Sequence, residues 1–345
     1  MRLTRRALGP ALVGLTLKGA PRIEGAFALE SVDQGHLLRD RAKLMEPRAS
    51  ERTPVVIVGG GIAGLSAGWW MERRGFRDFV LLEMENEAGG NARSGENEVS
   101  AYPWAAHYVP VPDAQAALVR ELFTELGVLR GGVWEERWLC HSPKERLFIH
   151  GRWEEGVEPH SALNAEERRQ MERFAARMAE FRATGRFTVP MERGFAQSTA
   201  AARALDRMTM GEWLRREGLT AEPVRWLADY STRDDYGTRA EDISAWAGIH
   251  YFAARAPEEK GPLTWPEGNG WVAKRLAAKL RRHIRTNGMA FRVARAGTRW
   301  QVFTEGRRYD AECVIWAAPT WLASWVLDPP PPRWPMDTAP WLVSN

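Results

Sequence analysis

The 345-residue sequence contains few cysteines, and their spacing excludes the usual cysteine sites. Only Cys140 and Cys313 occur, far apart and without a CxxC spacing. This pattern argues against a disulfide framework and a cysteine zinc site, and favours two unpaired thiols. The seven histidines are scattered, with no HxxxH or similar pair. We therefore predict no metal site.

Long apolar runs and a basic face are missing as well. The apolar segment at residues 7–17 has eleven residues, whereas a membrane-spanning helix needs about 20. The net charge of +4 arises in residues 1–53, which hold ten basic and six acidic side chains, so residues 54–345 carry 38 of each. No basic stripe with interleaved aromatic residues is present. We predict neither a transmembrane segment nor a nucleic-acid partner.

The N-terminus has the features of an export signal. Residues 4–8 read TRRAL, which resembles a twin-arginine signal, and Ala26-Phe27-Ala28 offers small residues for cleavage. Pro10 and Lys18 interrupt the apolar part, so a basic leader on a cytoplasmic protein is the alternative. We interpret residues 1–28 as the signal and 29–53 as a polar, mostly solvated lead-in.

A dinucleotide-binding βαβ unit follows the lead-in. Residues 55–64 read VVIVGGGIAG, a buried strand followed by glycines and a helix that we expect to end near Arg74, before Gly75. Glu83 lies 24 residues after Gly59, at the end of a second apolar run. In this motif the helix N-terminus faces a pyrophosphate and the acid accepts bonds from ribose hydroxyls. The predicted contact residues are Gly59, Gly60, Gly61, Ala63, Gly64 and Glu83.

A second glycine pair distinguishes this unit from a plain nicotinamide site. The sequence after Glu83 is MENEAGGNARS, and from Val55 to Pro112 the chain resembles the flavin-containing amine oxidoreductase superfamily. That superfamily includes monoamine and polyamine oxidases, protoporphyrinogen oxidase and phytoene desaturase-like enzymes. The resemblance implies that the first motif holds the ADP half of FAD. It also implies that four residues follow the pyrophosphate and ribityl chain: Gly89, Gly90, Arg93 and Ser94.

The resemblance continues more weakly toward the end of the chain, in MTMGEWLRREG (208–218), TWPEGNGWVAKRL (264–276) and CVIWAAP (313–319). It implies that the backbone near Ala290 contacts the adenine and that residues 104–108 pass near the isoalloxazine. His107 and Tyr108 are therefore candidates for proton handling or for orienting a substrate, although a hydrogen-bonded core role is equally open. Residues 233–236, RDDY, are either a solvated turn with local ion pairs or a substrate-facing site.

The predicted fold class is α/β, a Rossmann-like FAD-binding domain interleaved with a helical plus β substrate domain. Capping boxes begin helices at Asn164 and Thr209, and Gly218 stops the second helix. Met171, Phe174, Ala175, Met178 and Phe181 form the apolar stripe of the first. We expect the FAD-binding domain at 54–112 and 283–320, the substrate domain at 113–282, and a Pro-rich connection with an incomplete C-terminal part at 321–345.

The sequence departs from the family pattern in two ways. Family amine oxidases carry a lysine after the proline-rich stretch, whereas DPPPPRWP (328–335) is followed by MDTAPWLVSN. The family also closes its FAD site with a glycine-acid segment, for which residues 336–345 are too few. We expect residues 1–345 alone to expose Trp341 and Leu342 and to need a partner chain or a downstream segment.

The function predicted from these patterns is an FAD-dependent oxidoreductase that moves a hydride from a C–N or C–C bond of a small-molecule substrate to flavin N5. An NAD(P)-binding dehydrogenase would use the same first motif and is the first alternative. A non-catalytic or incomplete flavoprotein is the second. Only a flavoprotein would be yellow.

Overall fold

The computed structural model describes residues 32–40, 44–140, 146–149, 151–158, 163–189, 191–255 and 261–332. The export signal, Trp341 and Leu342 lie outside these residues. Expectations about them therefore remain predictions. Within the described residues, no helix is long and apolar enough to cross a membrane.

The strands are short except for two of nine residues, β1 and β14. In chain order they are β1 Ser50–Val58, β2 Phe79–Leu82, β3 Ser94–Glu96, β4 Ala101–Pro103, β5 Tyr108–Val109, β6 Leu129–Arg130, β7 Val133–Trp134, β8 Arg146–Ile149, β9 Arg152–Glu155, β10 Leu263–Thr264, β11 Ile284–Arg285, β12 Arg292–Ala296, β13 Arg299–Phe303, β14 Arg308–Trp316 and β15 Leu327–Asp328.

The helices alternate with strands at first and then follow one another. They are α1 Val32–Arg39, α2 Ile62–Arg73, α3 Ala117–Glu125, α4 Ala165–Ala183, α5 Met191–Ala196, α6 Ala200–Ala204, α7 Met210–Arg216, α8 Glu222–Tyr236, α9 Ala245–Ala253, α10 Gly270–Lys279 and α11 Ala323–Val326. The expected end of α2 is confirmed, since Gly75 adopts φ +81° directly after the helix.

One seven-stranded sheet organises the first domain, in the order β11-β2-β1-β14-β13-β12-β15. Strands β11, β2, β1 and β14 are parallel, while β14, β13 and β12 form an antiparallel meander. In the parallel part Val58 is in register with both Leu82 and Trp316. The carboxyl ends of these strands therefore meet at one edge, where ligands bind in doubly wound folds. The predicted α/β fold class is confirmed.

Both faces of this sheet are covered, as the apolar strand β1 requires. Ile57 packs with Leu65 and Trp69 of α2 on one face. Val56 and Val58 pack with Phe303 on the other face, together with Leu38 of α1. Two boundaries thus differ from the expected ones. The sheet begins at Ser50 rather than at residue 54, and the lead-in contributes a buried leucine because α1 covers apolar surface of the sheet.

A separate apolar core holds the helical domain together. Both predicted capping boxes are present, and they begin α4 and α7. Phe174 and Met178 of the predicted stripe are buried in this core. Ala175 is exposed, because the buried face of α4 contains Gln170 and excludes Ala175. The buried Gln170 side chain accepts a hydrogen bond from the Ala221 N–H at 2.7 Å, which links α4 to α8.

The C-terminal boundary of the helical domain also moves. Residues 263–280 were expected in the substrate domain, but Leu276 and Leu280 pack with Leu65 and Phe79 in the core of the first domain. Trp265 and Trp271 stack there with ring centroids 4.9 Å apart. The glycine turn and α10 therefore support the sheet, and the helical core is confined to about residues 157–253.

Candidate cofactor and substrate site

The first glycine turn lies at the carboxyl edge of the sheet. Gly59 adopts φ +108°, and a Cβ there would lie 2.7 Å from the Ala318 backbone nitrogen. A Cβ on Gly64 would lie 1.9 Å from the Gly59 carbonyl oxygen. Backbone atoms thus fill the space beside both positions, so the turn and the start of α2 are pressed against the strands. These two glycines are required by the protein's own packing.

Gly61 differs from Gly59 and Gly64, because no protein atom occupies the space where its Cβ would lie. The nearest atom to a Cβ at Gly61 is the Gly90 Cα at 3.9 Å, which is an ordinary contact distance. Helix α2 starts directly after it, without a side-chain cap, and Ile62 and Ala63 in its first turn are exposed. An uncapped helix start beside an open backbone is suited to a pyrophosphate.

The second glycine pair packs directly against the first. The Gly89 N–H donates to the Gly60 carbonyl at 2.9 Å, and Gly89 forms an isolated parallel bridge with Gly61. Both Gly89 and Gly90 have positive φ, at 142° and 54°. A Cβ on Gly90 would approach the Gly61 Cα to 3.2 Å. The structure therefore brings the two sequence motifs together into one backbone cradle.

Glu83 closes this cradle at the end of β2. Its side chain is buried, with one oxygen accepting from the Gly60 N–H at 3.0 Å and the other from the Glu85 N–H at 2.9 Å. Burial raises the pKa of the Glu83 carboxyl, although both N–H bonds oppose the shift. Each carboxylate oxygen retains a further lone pair, which could accept from a ribose hydroxyl.

Arg93, Ser94 and Ala290 extend the cradle on two sides. The Arg93 guanidinium lies 4.9 Å over the Trp104 ring and 3.9 Å from a Glu85 carboxylate oxygen. The Ser94 hydroxyl is buried and lacks a hydrogen-bond partner in the described part of the chain. Ala290 is buried in the loop whose Gly288 N–H donates to the Glu83 carbonyl at 2.8 Å.

His107 and Tyr108 follow a segment that pairs with the cradle. The Trp104 N–H donates to the Arg93 carbonyl at 3.2 Å. His107 is exposed, and its Nδ1 lies 3.0 Å from the Ala105 carbonyl oxygen. Tyr108 is half-buried, its ring 4.9 Å from that of His107 and edge-on to it. The chain thus leads from the glycine cradle to two polar aromatic side chains.

Charges of the helical domain act on Tyr108, and they belong to a cluster that sequence reasoning resolved only in part. The Asp235 carboxylate lies 3.0 Å from the Arg255 Nη2, and the Arg255 guanidinium lies 3.6 Å over the Tyr251 ring. Burial raises the pKa of Tyr108, Arg255 opposes the shift and Asp235 adds to it. We call Tyr108, Asp235, Tyr236, Tyr251 and Arg255 the tyrosine–arginine cluster.

Of the two alternatives for residues 233–236, the solvated segment with local ion pairs fits better, since Arg233, Asp234 and Asp235 are exposed, but it is part of a helix rather than a loop turn. These residues form the last turn of α8, which ends at Gly237 in the left-handed conformation. Arg233 pairs locally with Asp229 at 2.7 Å, whereas Asp235 pairs with Arg255, two residues past the end of α9. Tyr251 and Arg255 were missed. Their four-residue spacing, which in a helix would place both on one face, was the available signal.

Tyr236 provides a pH-dependent prediction for this cluster. Its hydroxyl donates to the Ala247 carbonyl at 3.3 Å, and burial followed by Asp235 raises its pKa to about 12. Because the folded value lies above the unfolded value of about 10, the associated stability is complete below pH ~10 and is lost as the pH rises to about 12. In a titration followed by phenolate absorbance, Tyr236→Phe should remove a step at the alkaline end. An unchanged alkaline step in that variant would contradict the assignment.

Comparison with known proteins was consistent with this geometry. Residues 57–126 match a family described as an NAD(P)-binding Rossmann-like domain. Wild-type putrescine oxidase bound to putrescine superposes with a TM-score of 0.65 and 21% identity, over 82% of this chain and 62% of that one. The chain adopts the fold of putrescine oxidase.

Two further structures share the fold. Cyclohexylamine oxidase from Brevibacterium oxydans IH-35A gives a TM-score of 0.61 at 18% identity, over 81% of this chain and 61% of that one. A CLA-producing fatty acid isomerase from P. acnes gives a TM-score of 0.57 at 18% identity, over 80% of this chain and 61% of that one. This chain therefore spans about three fifths of each neighbour. No curated protein sequence is significantly similar to it. At the level of the fold, the resemblance to amine oxidoreductases is confirmed.

Proposed function

We propose that this chain binds FAD in the glycine cradle and belongs to an oxidoreductase acting on a small molecule. One observation carries the proposal: Gly61 is beside open space, while Gly89 and Gly90 contact its backbone and the Glu83 carboxylate accepts from the neighbouring Gly60 N–H. A nicotinamide site would need only the first turn and the acid. The second glycine pair, packed onto Gly61, supports the longer flavin dinucleotide.

Different residues of the chain would bind different parts of this cofactor. The α2 N–H groups at Ile62 and Ala63 would bind the pyrophosphate, and Glu83 would accept from the ribose hydroxyls. The unpaired Ser94 hydroxyl fits a polar group along the ribityl chain. The buried loop at Ala290 supports adenine contact. When bound, the flavin would supply hydride acceptance at N5.

The tyrosine–arginine cluster is the best candidate for the substrate side. It joins Tyr108, which follows the cradle-paired segment, to α8 and α9 of the helical domain. Asp235 and Arg255 neutralise each other there, while the tyrosine hydroxyls can orient a polar substrate. Two fold neighbours are named as amine oxidases and one as a fatty acid isomerase. We therefore propose oxidation at a C–N or C–C bond without restricting the substrate to amines.

The visible spectrum of the purified protein tests the cofactor directly. We expect a yellow protein whose extracted cofactor has the mass of FAD. A colourless preparation that binds NADH but neither retains nor takes up FAD would instead establish the dehydrogenase alternative. FAD at full occupancy with no flavin reduction by any amine, alcohol or unsaturated substrate would support a non-catalytic flavoprotein.

Glu83→Ala tests the ribose contact. The variant should bind FAD more than about tenfold more weakly, since it loses hydrogen bonds to a charged acceptor worth about 1.5 to 3 kcal/mol each. It also leaves the Gly60 and Glu85 N–H groups without their acceptor. The fold should persist, and Glu87→Ala, which removes a nearby exposed acid, is the matched control. Equal FAD affinity in the two variants, measured by fluorescence quenching, would show that Glu83 is not the ribose ligand.

A further inference from the structure

A polar pocket separate from the glycine cradle gathers basic side chains from three parts of the chain. It has a volume of about 370 Å³ and lies where the start of β2 meets β1 and β11. Four exposed arginines line it: Arg52, Arg77, Arg282 and Arg285. None of these residues belongs to the cradle. The volume lies at the lower end of the range for small-molecule sites.

Acidic side chains neutralise only part of this charge. Glu72 pairs with Arg282 at 2.6 Å and lies 2.9 Å from the Nε2 of the buried His283. Glu51 lines the pocket but pairs with Arg307, which does not line it. Asp78 is the remaining acid in the lining. Among the described residues, Arg52, Arg77 and Arg285 have no carboxylate within ion-pair distance, so the pocket keeps a positive charge.

Two of the arginines are held in place by the fold. The Arg285 Nη1 donates to the carbonyls of Arg282 and Ile284, at 2.8 and 3.2 Å. Arg282 is held by its contact with Glu72, whose pKa is lowered: burial opposes the shift, but bonds from His283 and Arg282 outweigh it. Fixed guanidinium groups of like charge repel one another, and a multivalent anion would remove that repulsion while accepting bidentate hydrogen bonds.

We propose that this pocket binds a small multivalent phosphate, of the chemical class of pyrophosphate. The planar guanidinium fork matches phosphate oxygens, and convergence from three segments provides donors on several sides. The site is independent of the proposed function, because it shares no residue with the cradle or the tyrosine–arginine cluster.

Calorimetric titration with inorganic pyrophosphate at constant ionic strength tests this proposal. The cradle could also bind pyrophosphate, so it is blocked in two ways, by Gly61→Val and by saturating the wild-type protein with FAD. Binding should persist in both cases. In the blocked protein, Arg52→Gln or Arg77→Gln should raise the Kd about tenfold or more, since each removes a charge-assisted contact. Arg281→Gln, which removes a neighbouring exposed charge outside the pocket, should leave the Kd unchanged.

Several results would overturn the proposal. Loss of binding when the cradle is blocked would assign the anion to the cradle, and an equal loss in Arg281→Gln would indicate general charge attraction. Arginine-dependent binding of a polyglutamate peptide that exceeds pyrophosphate binding would replace the small anion with an acidic protein partner. If the protein did not bind FAD, only the FAD-saturated arm of the titration would be lost. The Gly61→Val arm would still test the pocket, so the two proposals fail separately.

Discussion

Gly61→Val should abolish cofactor binding and leave the fold intact. The backbone at Gly61 is extended, with φ −70° and ψ −175°, which a β-branched residue adopts readily. A Cβ there meets no protein atom closer than 3.9 Å. The valine methyl groups would instead occupy the space beside the α2 N-terminus that we assign to the pyrophosphate.

The measurement is FAD occupancy of the purified variant together with its thermal unfolding. We expect a colourless protein with a melting temperature close to that of the wild-type apoprotein. Gly35→Ala provides a control substitution at a glycine in α1 where an added Cβ would meet no atom within 4 Å, and it should retain FAD fully. A Gly61→Val protein that purifies yellow at full occupancy would refute the cofactor assignment.

Gly64→Ala should damage the fold itself. Alanine normally favours a helix interior over glycine by about 1 kcal/mol. At this position, however, the added Cβ would lie 1.9 Å from the Gly59 carbonyl oxygen and 3.3 Å from Ile57 Cγ2. Helix α2 would have to move away from β1, at a cost of about 3 kcal/mol or more, as for severe overpacking.

Thermal or denaturant unfolding of the apoprotein measures this loss without any cofactor. The matched comparison is again Gly35→Ala, a helical glycine where alanine should be neutral or slightly stabilising. Near-wild-type stability in Gly64→Ala would mean that α2 is not pressed against the turn as described. Comparison of the two variants distinguishes a glycine whose neighbouring space is proposed to hold a ligand, Gly61, from one whose neighbouring space is filled by protein atoms, Gly64.

The local motifs were predictable from sequence because each depends on near neighbours. The glycine turn, the α2 boundary and both capping boxes are defined by backbone geometry within a few residues. The contact between the two glycine pairs was only implied, since Gly61 and Gly89 are 28 positions apart and meet through the sheet.

Long-range packing accounts for what the sequence did not predict. The pairing of Asp235 with Arg255 depends on how α8 packs against the residues that follow α9, and the effect of these charges on Tyr108 depends on how the two parts of the chain pack together. No local sequence pattern encodes either of these packing arrangements. Similarly, α10 carries an ordinary amphipathic pattern, which does not indicate which of two apolar cores it joins.

The pairing of β1 with β14 has a consequence for how the protein is made. Eight residue pairs join these strands, from Ser50–Arg308 to Val58–Trp316, across more than 250 positions of sequence. On the ribosome, β1 therefore emerges long before β14, and until β14 is synthesised the apolar edge of β1 that pairs with it stays unpaired. The dinucleotide motif, although it is contiguous in sequence, completes its sheet only when residues near 316 have been synthesised. During that interval the nascent chain is vulnerable to misassociation, and chaperone binding to the β1 segment would protect it.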